Sequence, residues 1–223
     1  MFWLLDLKGP MQAYGTSGNF DDRPTGLYPL RSHIVGMLAA AMGIRRDDTG
    51  GLGRLNELSF EVLAWPGSVL SDFRTIGNGY NEADLVSARL GGPAPIPRSA
   101  DNKYNRPVVG RKEYLVGARF CVLLQGPEQF LNKVVGALDN PVWMVFLGRA
   151  NCLPSVGPLV YGPFENRQSA IDRAVEMVGS KPALTVSETN PGLGAIAMPA
   201  KPVDYMNRLY APQYVAENWA TDK

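Results

Sequence analysis

Histidine is almost missing from this 223-residue chain: His33 is the only one. With no CxxC pair and only two isolated cysteines, Cys121 and Cys152, the residue types that build zinc and related centres are too few for a metal site, and no cofactor is expected. One histidine excludes a ribonuclease that needs two, and leaves a Tyr–His–Lys set as the chemically possible metal-independent arrangement. Nucleophile and nucleotide motifs are lacking as well. There is no G-x-S-x-G, and Gly50-Gly51-Leu52-Gly53 has neither the lysine nor the spacing of a phosphate-binding loop. The adjacent acids Asp21-Asp22 and Asp47-Asp48 read as surface groups and caps, because neighbouring side chains on an extended chain point apart. No segment approaches membrane-spanning length, and the short apolar burst of MFWLLDLKG without a basic leader reads as a strand, not a signal peptide. The apolar settings of both cysteines suggest buried thiols in a reducing, cytoplasmic compartment.

Charge is also sparse. Charged residues make up 19% of the chain, and 22 Lys and Arg against 21 Asp and Glu leave a formal +1, without the broad basic excess usual in nucleic-acid binders. The excess is local: between Arg98 and Arg119 six basic residues face two acids, Asp101 and Glu113. Proline, glycine and asparagine around them place part of this cluster on a protruding loop. A thinly charged surface also suits burial against partners.

Hydrophobic patterning gives an order of elements. Phe2 to Lys8 reads as a buried strand stopped by Gly9-Pro10. From Ser32, which could cap it, an apolar stripe at helical spacing runs to Gly43, and a second short helix follows before Leu55. Phe60 to Trp65 is strand-like, and Phe73 to Arg111 is too rich in glycine and proline for a continuous core element. Glu113 to Leu124 reads as one strong strand, Pro127 to Leu138 as a helix, Val142 to Leu147 as a short strand and Arg167 to Val178 as a helix. The order predicts an α/β (α+β) fold, ferredoxin-like or RNA-recognition-like, over residues 1–147 with a long inserted thumb at about 71–112. Residues 148–223 are expected to form a small irregular region packed on it.

Several segments together resemble the CasD family of type I-E CRISPR systems. They are Leu7-Lys8-Gly9-Pro10-Met11-Gln12-Ala13-Tyr14-Gly15, Arg23-Pro24-Thr25-Gly26, Pro29-Leu30-Arg31-Ser32, Val35-Gly36-Met37-Leu38 and Gly43-Ile44-Arg45-Arg46-Asp47-Asp48. Further on, Arg111-Lys112-Glu113-Tyr114-Leu115, Ala118-Arg119-Phe120 and Phe146-Leu147-Gly148-Arg149-Ala150-Asn151-Cys152 continue it in order. His33, Leu30, the proline-rich arm from Gly91 to Pro107 and Ala150-Asn151 depart from that pattern. The resemblance implies a noncatalytic subunit that holds the 5′ handle of CRISPR RNA. It also implies capping of a Cascade backbone filament of CasC-like subunits, contact with a CasA-like large subunit, and access to target DNA only through the complex. No membrane partner is implied.

The residues themselves suit that role. Single-stranded RNA is gripped by ring stacking, guanidinium groups and close backbone approach. Tyr14 and Gln12 offer stacking and hydrogen bonding beside Gly15. Arg23, Arg31 and Arg149 are expected phosphate partners, with Ser32 and Asn151 beside them. Arg74, Arg98, Lys103, Arg106, Arg111 and Lys112 would line or anchor the thumb. The ordinary alternatives are core packing for Tyr14 and an ion pair of Arg31 with Asp21 or Asp22. Two other functions stay open at this level: a metal-independent endoribonuclease using Tyr14, His33 and Lys112, and a protein-only scaffold subunit.

Overall fold

A computed structural model of the chain describes residues 1–16, 22–76, 82–93, 108–157 and 159–220. Alternating strand segments with long apolar runs build one seven-stranded sheet. In chain order the elements are β1 (Phe2–Lys8), β2 (Met11–Gln12), β3 (Asp22–Arg23), α1 (Arg31–Met42), α2 (Thr49–Leu55), β4 (Ser59–Trp65), β5 (Ser68–Ile76) and α3 (Glu82–Arg89). These are followed by β6 (Val108–Val116), β7 (Arg119–Gln125), α4 (Glu128–Asp139), β8 (Val160–Phe164), α5 (Arg167–Val178), β9 (Leu184–Thr189), β10 (Ile196–Asp204) and β11 (Leu209–Trp219).

Two compact units divide the chain. The first comprises Met1–Tyr14, Gly26–Val69 and Leu115–Lys223; the second comprises Gly15–Thr25 and Leu70–Tyr114. The sheet of the first unit has the order β10-β11-β9-β4-β7-β1-β8, and all its pairings are antiparallel. Its central strands β1, β4, β7 and β8, with α1 and α2 joining the first two and α4 the last two, follow the β-α-β-β-α-β connectivity of a ferredoxin-like fold. Strand alternation sends Leu4, Leu63, Cys121 and Leu123 to one face, where α5 covers them with Ala170 and Ala174. Leu5, Leu7, Val62, Phe120, Val122 and Leu124 are also buried, and alternation places them on the opposite face. Burial of each such leucine contributes about 1.5–3 kcal/mol. The α5 face holds one buried ion pair: the Arg119 guanidinium donates to Asp6 at 2.8 and 2.7 Å and to Met177 O at 2.9 Å.

Four expectations need correction. The strand expected from Glu113 to Leu124 is two strands, because Gly117 at φ 72° turns the chain between β6 and β7. Val142 to Leu147 is not a strand: Val142 N–H donates to Ala41 O and Trp143 N–H to Ala40 O, satisfying carbonyls at the open end of α1. Ser32 does not cap α1; the cap is Leu30, whose N–H donates to His33 Nδ1 at 3.1 Å. Residues 148–223 are not an irregular region, since they supply β8, β9, β10 and β11 to the main sheet and α5 to one of its faces. Their prolines sit where one side of the strand is unpaired: β8 and β10 are edges, and β9 pairs only with Tyr214–Trp219 of β11, beyond Pro212.

In the second unit, β3 pairs with β6 in parallel, placing Asp22 opposite Arg111 and Arg23 opposite Lys112. β5 also pairs with β6, and α3 lies between them in sequence.

The Arg31 guanidinium is buried. It donates to Glu188 Oε1 at 2.7 Å, to Asn56 O at 3.0 Å and to Leu58 O at 2.8 Å, and it lies 4.5 Å from the Phe60 ring centroid. Arg31→Ala is expected to destabilise the protein by about 3 kcal/mol, because two carbonyls lose this donor and Glu188 loses its cation, keeping Gln213 as donor. Denaturant unfolding measures it, and a loss under about 0.5 kcal/mol would contradict this account. Burial pushes the Cys121 thiol up to about 12, and Cys152 is also buried and raised. Neither thiol should react with a thiol reagent at pH 8 faster than the chain unfolds; rapid labelling of the native protein would refute that burial.

Candidate nucleic-acid interface

The first unit carries an open groove of about 530 Å³, within the size range of ligand sites. Its floor is the outward face of α1, where Ser32, Gly36, Ala39 and Ala40 recur at helical spacing and leave room above them. One wall is the segment after α4, with Trp143, Met144, Phe146 and Gly148. The other is the β10–β11 hairpin, with Tyr205, Arg208 and Tyr210. Arg46 and Arg208 bring cationic charge, and among the described residues no carboxylate lines the groove.

Each wall is held by specific contacts. The Tyr205 hydroxyl donates to Ser32 O at 2.6 Å, and burial pushes its pKa upward, so it stays a donor at neutral pH. The Tyr205 and Tyr210 rings meet edge to face with centroids 6.2 Å apart. Asn56 Nδ2 donates to Pro202 O at 2.6 Å, which fastens β10 to the end of α2. On the other side, Ala13 N–H donates to Leu147 O, Leu147 N–H to Cys152 O and Cys152 N–H to Arg149 O, so the loop bearing Arg149 is stitched to the strand region before it. Gly148 has φ +93°, and a Cβ there would lie 1.8 Å from Ala13 O. Only glycine fits.

The sequence-derived residues divide sharply. Gln12 is fully buried: its Nε2 donates to Leu7 O at 3.2 Å and Ala118 O at 2.8 Å, and its Oε1 accepts from the Tyr14 hydroxyl at 2.7 Å. Tyr14 is buried too, edge-on to His33 and Phe120, so its ring is closed to a stacking base and burial raises its pKa. Arg31 pairs with Glu188, not with Asp22, and is enclosed. These three side chains shape the site from inside. Direct contact with RNA, expected of them from the sequence, is replaced by core hydrogen bonding.

Ser32 lines the groove, and Arg149 and Asn151 belong to the adjoining loop, half-buried and exposed respectively. In the second unit, Arg23 and Arg111 are exposed and Lys112 is half-buried; the pairing of Arg23 with Lys112 sets two cations side by side on one face. Gly15 is exposed. Arg74 Nε is buried with no hydrogen-bond partner among the described residues. Arg98, Lys103 and Arg106 lie outside the described residues.

Trp143, Tyr205, Arg208 and Tyr210 fall in none of the motifs that mark candidate site residues in the sequence. The prolines and glycines of this part of the chain read as irregular structure, which hides the hairpin that carries Tyr205, Arg208 and Tyr210. Among the described residues there is no cluster of three or more His, Cys, Asp or Glu that could hold a metal, and no helix long and apolar enough to cross a membrane.

The class defined by these features is an α+β protein with ferredoxin-like connectivity and a basic, aromatic groove built beside its first helix. Residues 2–206 match the family described as CRISPR-associated protein (Cas_Cas5), and the chain belongs to this Cas5 family. It is 32% identical over 164 residues to the CRISPR system Cascade subunit CasD of Escherichia coli (strain K12), covering 72% of this chain and 70% of that protein. It is similar to a chain of a CRISPR RNA-guided surveillance complex with a TM-score of 0.71 and 28% identity, covering 98% of this chain and 90% of the other. A second solved structure, of a Cas protein, aligns with a TM-score of 0.66 and 25% identity over 98% of this chain and 94% of that one.

Gly148→Ala is expected to lower stability by about 2–3 kcal/mol, since left-handed strain and a backbone clash act together. Arg149→Ala should change stability by no more than about 0.5 kcal/mol. Thermal or chemical unfolding compares them, and a tolerated alanine at 148 would show that the loop is not pinned as described.

Proposed function

We propose that this chain is a noncatalytic RNA-holding subunit of a Cascade-type CRISPR surveillance complex. It grips the repeat-derived 5′ handle of the guide RNA, caps one end of a filament of CasC-like backbone subunits and touches a CasA-like large subunit. Target DNA is met only through the assembly. The observation that carries this reading is the groove beside α1, whose charged lining residues are basic and whose walls are aromatic. Rings, guanidinium groups and absence of carboxylates are what an unpaired polyanion with flat bases requires. Membership of the Cas5 family and similarity to a Cascade subunit and to a chain of an RNA-guided surveillance complex support the same reading. The exposed Arg23 and Arg111 with Lys112, and Arg149 on its pinned loop, are the further phosphate partners in this proposal.

The endoribonuclease alternative requires Tyr14 to lose or pass a proton at a substrate. Its hydroxyl instead donates to Gln12 within the core, and burial disfavours the tyrosinate. His33 Nδ1 accepts the Leu30 N–H, which commits one ring nitrogen to the helix cap. A protein-only scaffold would not need a groove of this charge and aromatic character.

Binding of labelled full-repeat RNA in EDTA, to the protein alone and with its backbone subunit, tests the proposal. Intact RNA held most tightly by the joint assembly is expected, with affinity falling with salt and the slope reduced by about 0.7 when Arg149 is changed to alanine. Discrete cleavage by the protein alone would make it a processing enzyme, and assembly indifferent to RNA would leave the scaffold reading.

A further inference from the structure

We propose that α2 is a local-opening latch: it unfolds by itself while the sheet stays formed, and its closed form ties strand β10 to the helices. The helix is weak by composition. Glycine stands at positions 50, 51 and 53, three of the seven residues of Thr49–Leu55, and each glycine in a helix interior lowers the helical equilibrium about fivefold relative to alanine. Gly51 is there for space, since a Cβ would lie 2.5 Å from Asp48 Oδ2 and 2.8 Å from Ile44 Cγ2. Space does not explain the other two. A Cβ at Gly50 would meet only Asp48 Oδ1, at an ordinary 3.6 Å, and one at Gly53 would meet nothing within 4 Å among the described residues. Neither has positive φ, so no left-handed conformation demands them. Thr49, Gly50, Gly53 and Arg54 are exposed and only the side chains of Leu52 and Leu55 are buried, which leaves a short helix with little packing to hold it.

Asn56 joins this weak element to β10. Its N–H donates to Leu52 O at 3.0 Å and closes the helix, while its Nδ2 donates to Pro202 O at 2.6 Å. β10 is an edge strand paired only with β11, and the Asn56 bond ties it to the helical layer. The Asn56 carbonyl belongs to the fixed part of the fold, because it accepts from Arg31 Nη1 at 3.0 Å. Asn56 Oδ1 is buried with no hydrogen-bond partner among the described residues, which weakens the docked state of this side chain. When Thr49–Leu55 opens, the Asn56 amide loses Leu52 O, its side chain is free to turn to water, and β10 loses its tie at Pro202. Arg31 keeps Asn56 O, Leu58 O and Glu188, so the core does not follow. A ligand that needs β10 in place binds the closed form and draws α2 shut. That this ligand is guide RNA rests on the RNA-holding reading; the latch itself does not.

Amide hydrogen exchange of the full chain, alone and in the ribonucleoprotein reconstituted with guide RNA, tests the latch. In the free chain the amides of Leu52–Asn56 should exchange about a hundredfold faster than those of Val62–Ala64 in β4, and RNA in the complex should slow them about tenfold. Gly53→Ala should slow the α2 amides about fivefold and slow the stretch Lys201–Asp204 in the same direction, since one opening exposes both. Asn56→Ala cuts the tie without strengthening α2. It should speed exchange in Lys201–Asp204 severalfold while Val62–Ala64 stay unchanged, which separates loss of the latch from loss of the fold. Exchange in α2 as slow as in β4, or unchanged by Gly53→Ala, overturns the latch. So does a Gly53→Ala chain whose α2 slows while β10 does not respond. If RNA is held by the complex and α2 is not slowed, the coupling to RNA is overturned. A complex indifferent to RNA overturns the RNA-holding reading instead, and the free-chain exchange alone then decides the latch.

Discussion

Where α1 begins is decided by one guanidinium. Arg31 stands in the first turn of α1, and its donors reach Glu188 on β9 and the carbonyls of Asn56 and Leu58 at the junction of α2 and β4. Enclosing a cation is costly unless every donor finds an acceptor, so the position tolerates one arrangement of helix, junction and strand. The groove floor, the His33 cap and the contact of Ser32 O with Tyr205 all inherit their positions from it.

The sheet supplies the rigid support. The middles of β1, β4 and β7 are covered on both faces, and this explains why their sequences read as nearly unbroken apolar runs, with Asp6 and Arg119 as a matched charged pair across β1 and β7. Of the groove walls, one is irregular chain and the other a strand hairpin, each held by named hydrogen bonds: the segment after α4 spends its amides on the end of α1, and the hairpin is tied by Asn56 and Tyr205. A rigid helix forms the floor, and the exposed rings stand on a tethered segment (Trp143) and at the start of β11 (Tyr210).

Local signals were legible. The strand at Phe2–Lys8 and the helix at Arg167–Val178 carry their own periodicity and stops, and the α1 terminus at Gly43 is a left-handed cap that glycine adopts without strain. The bend at Gly117 was less visible, since apolar residues continue on both sides of it. Gln12, Tyr14 and Arg31 are expected from the sequence to contact RNA, with core packing as the alternative for Tyr14 and an ion pair as the alternative for Arg31, and the structure spends their polar atoms inside the fold: a polar residue in a motif can be polar because it serves the core.

By itself the sequence determined the α+β class, the family motifs and most helices, because these depend on composition and on spacing within a dozen residues. Tertiary structure alone decided which polar groups face inward and which face a ligand. Arg31 meets Glu188 across 157 positions, and Tyr205 meets Ser32 across 173. Tyr210 joins Trp143 in one groove only because β10 and β11 fold back as a hairpin beside α1. Partners so distant in the chain leave no periodic trace; they are set by strand order, register and the requirement that every buried donor find an acceptor.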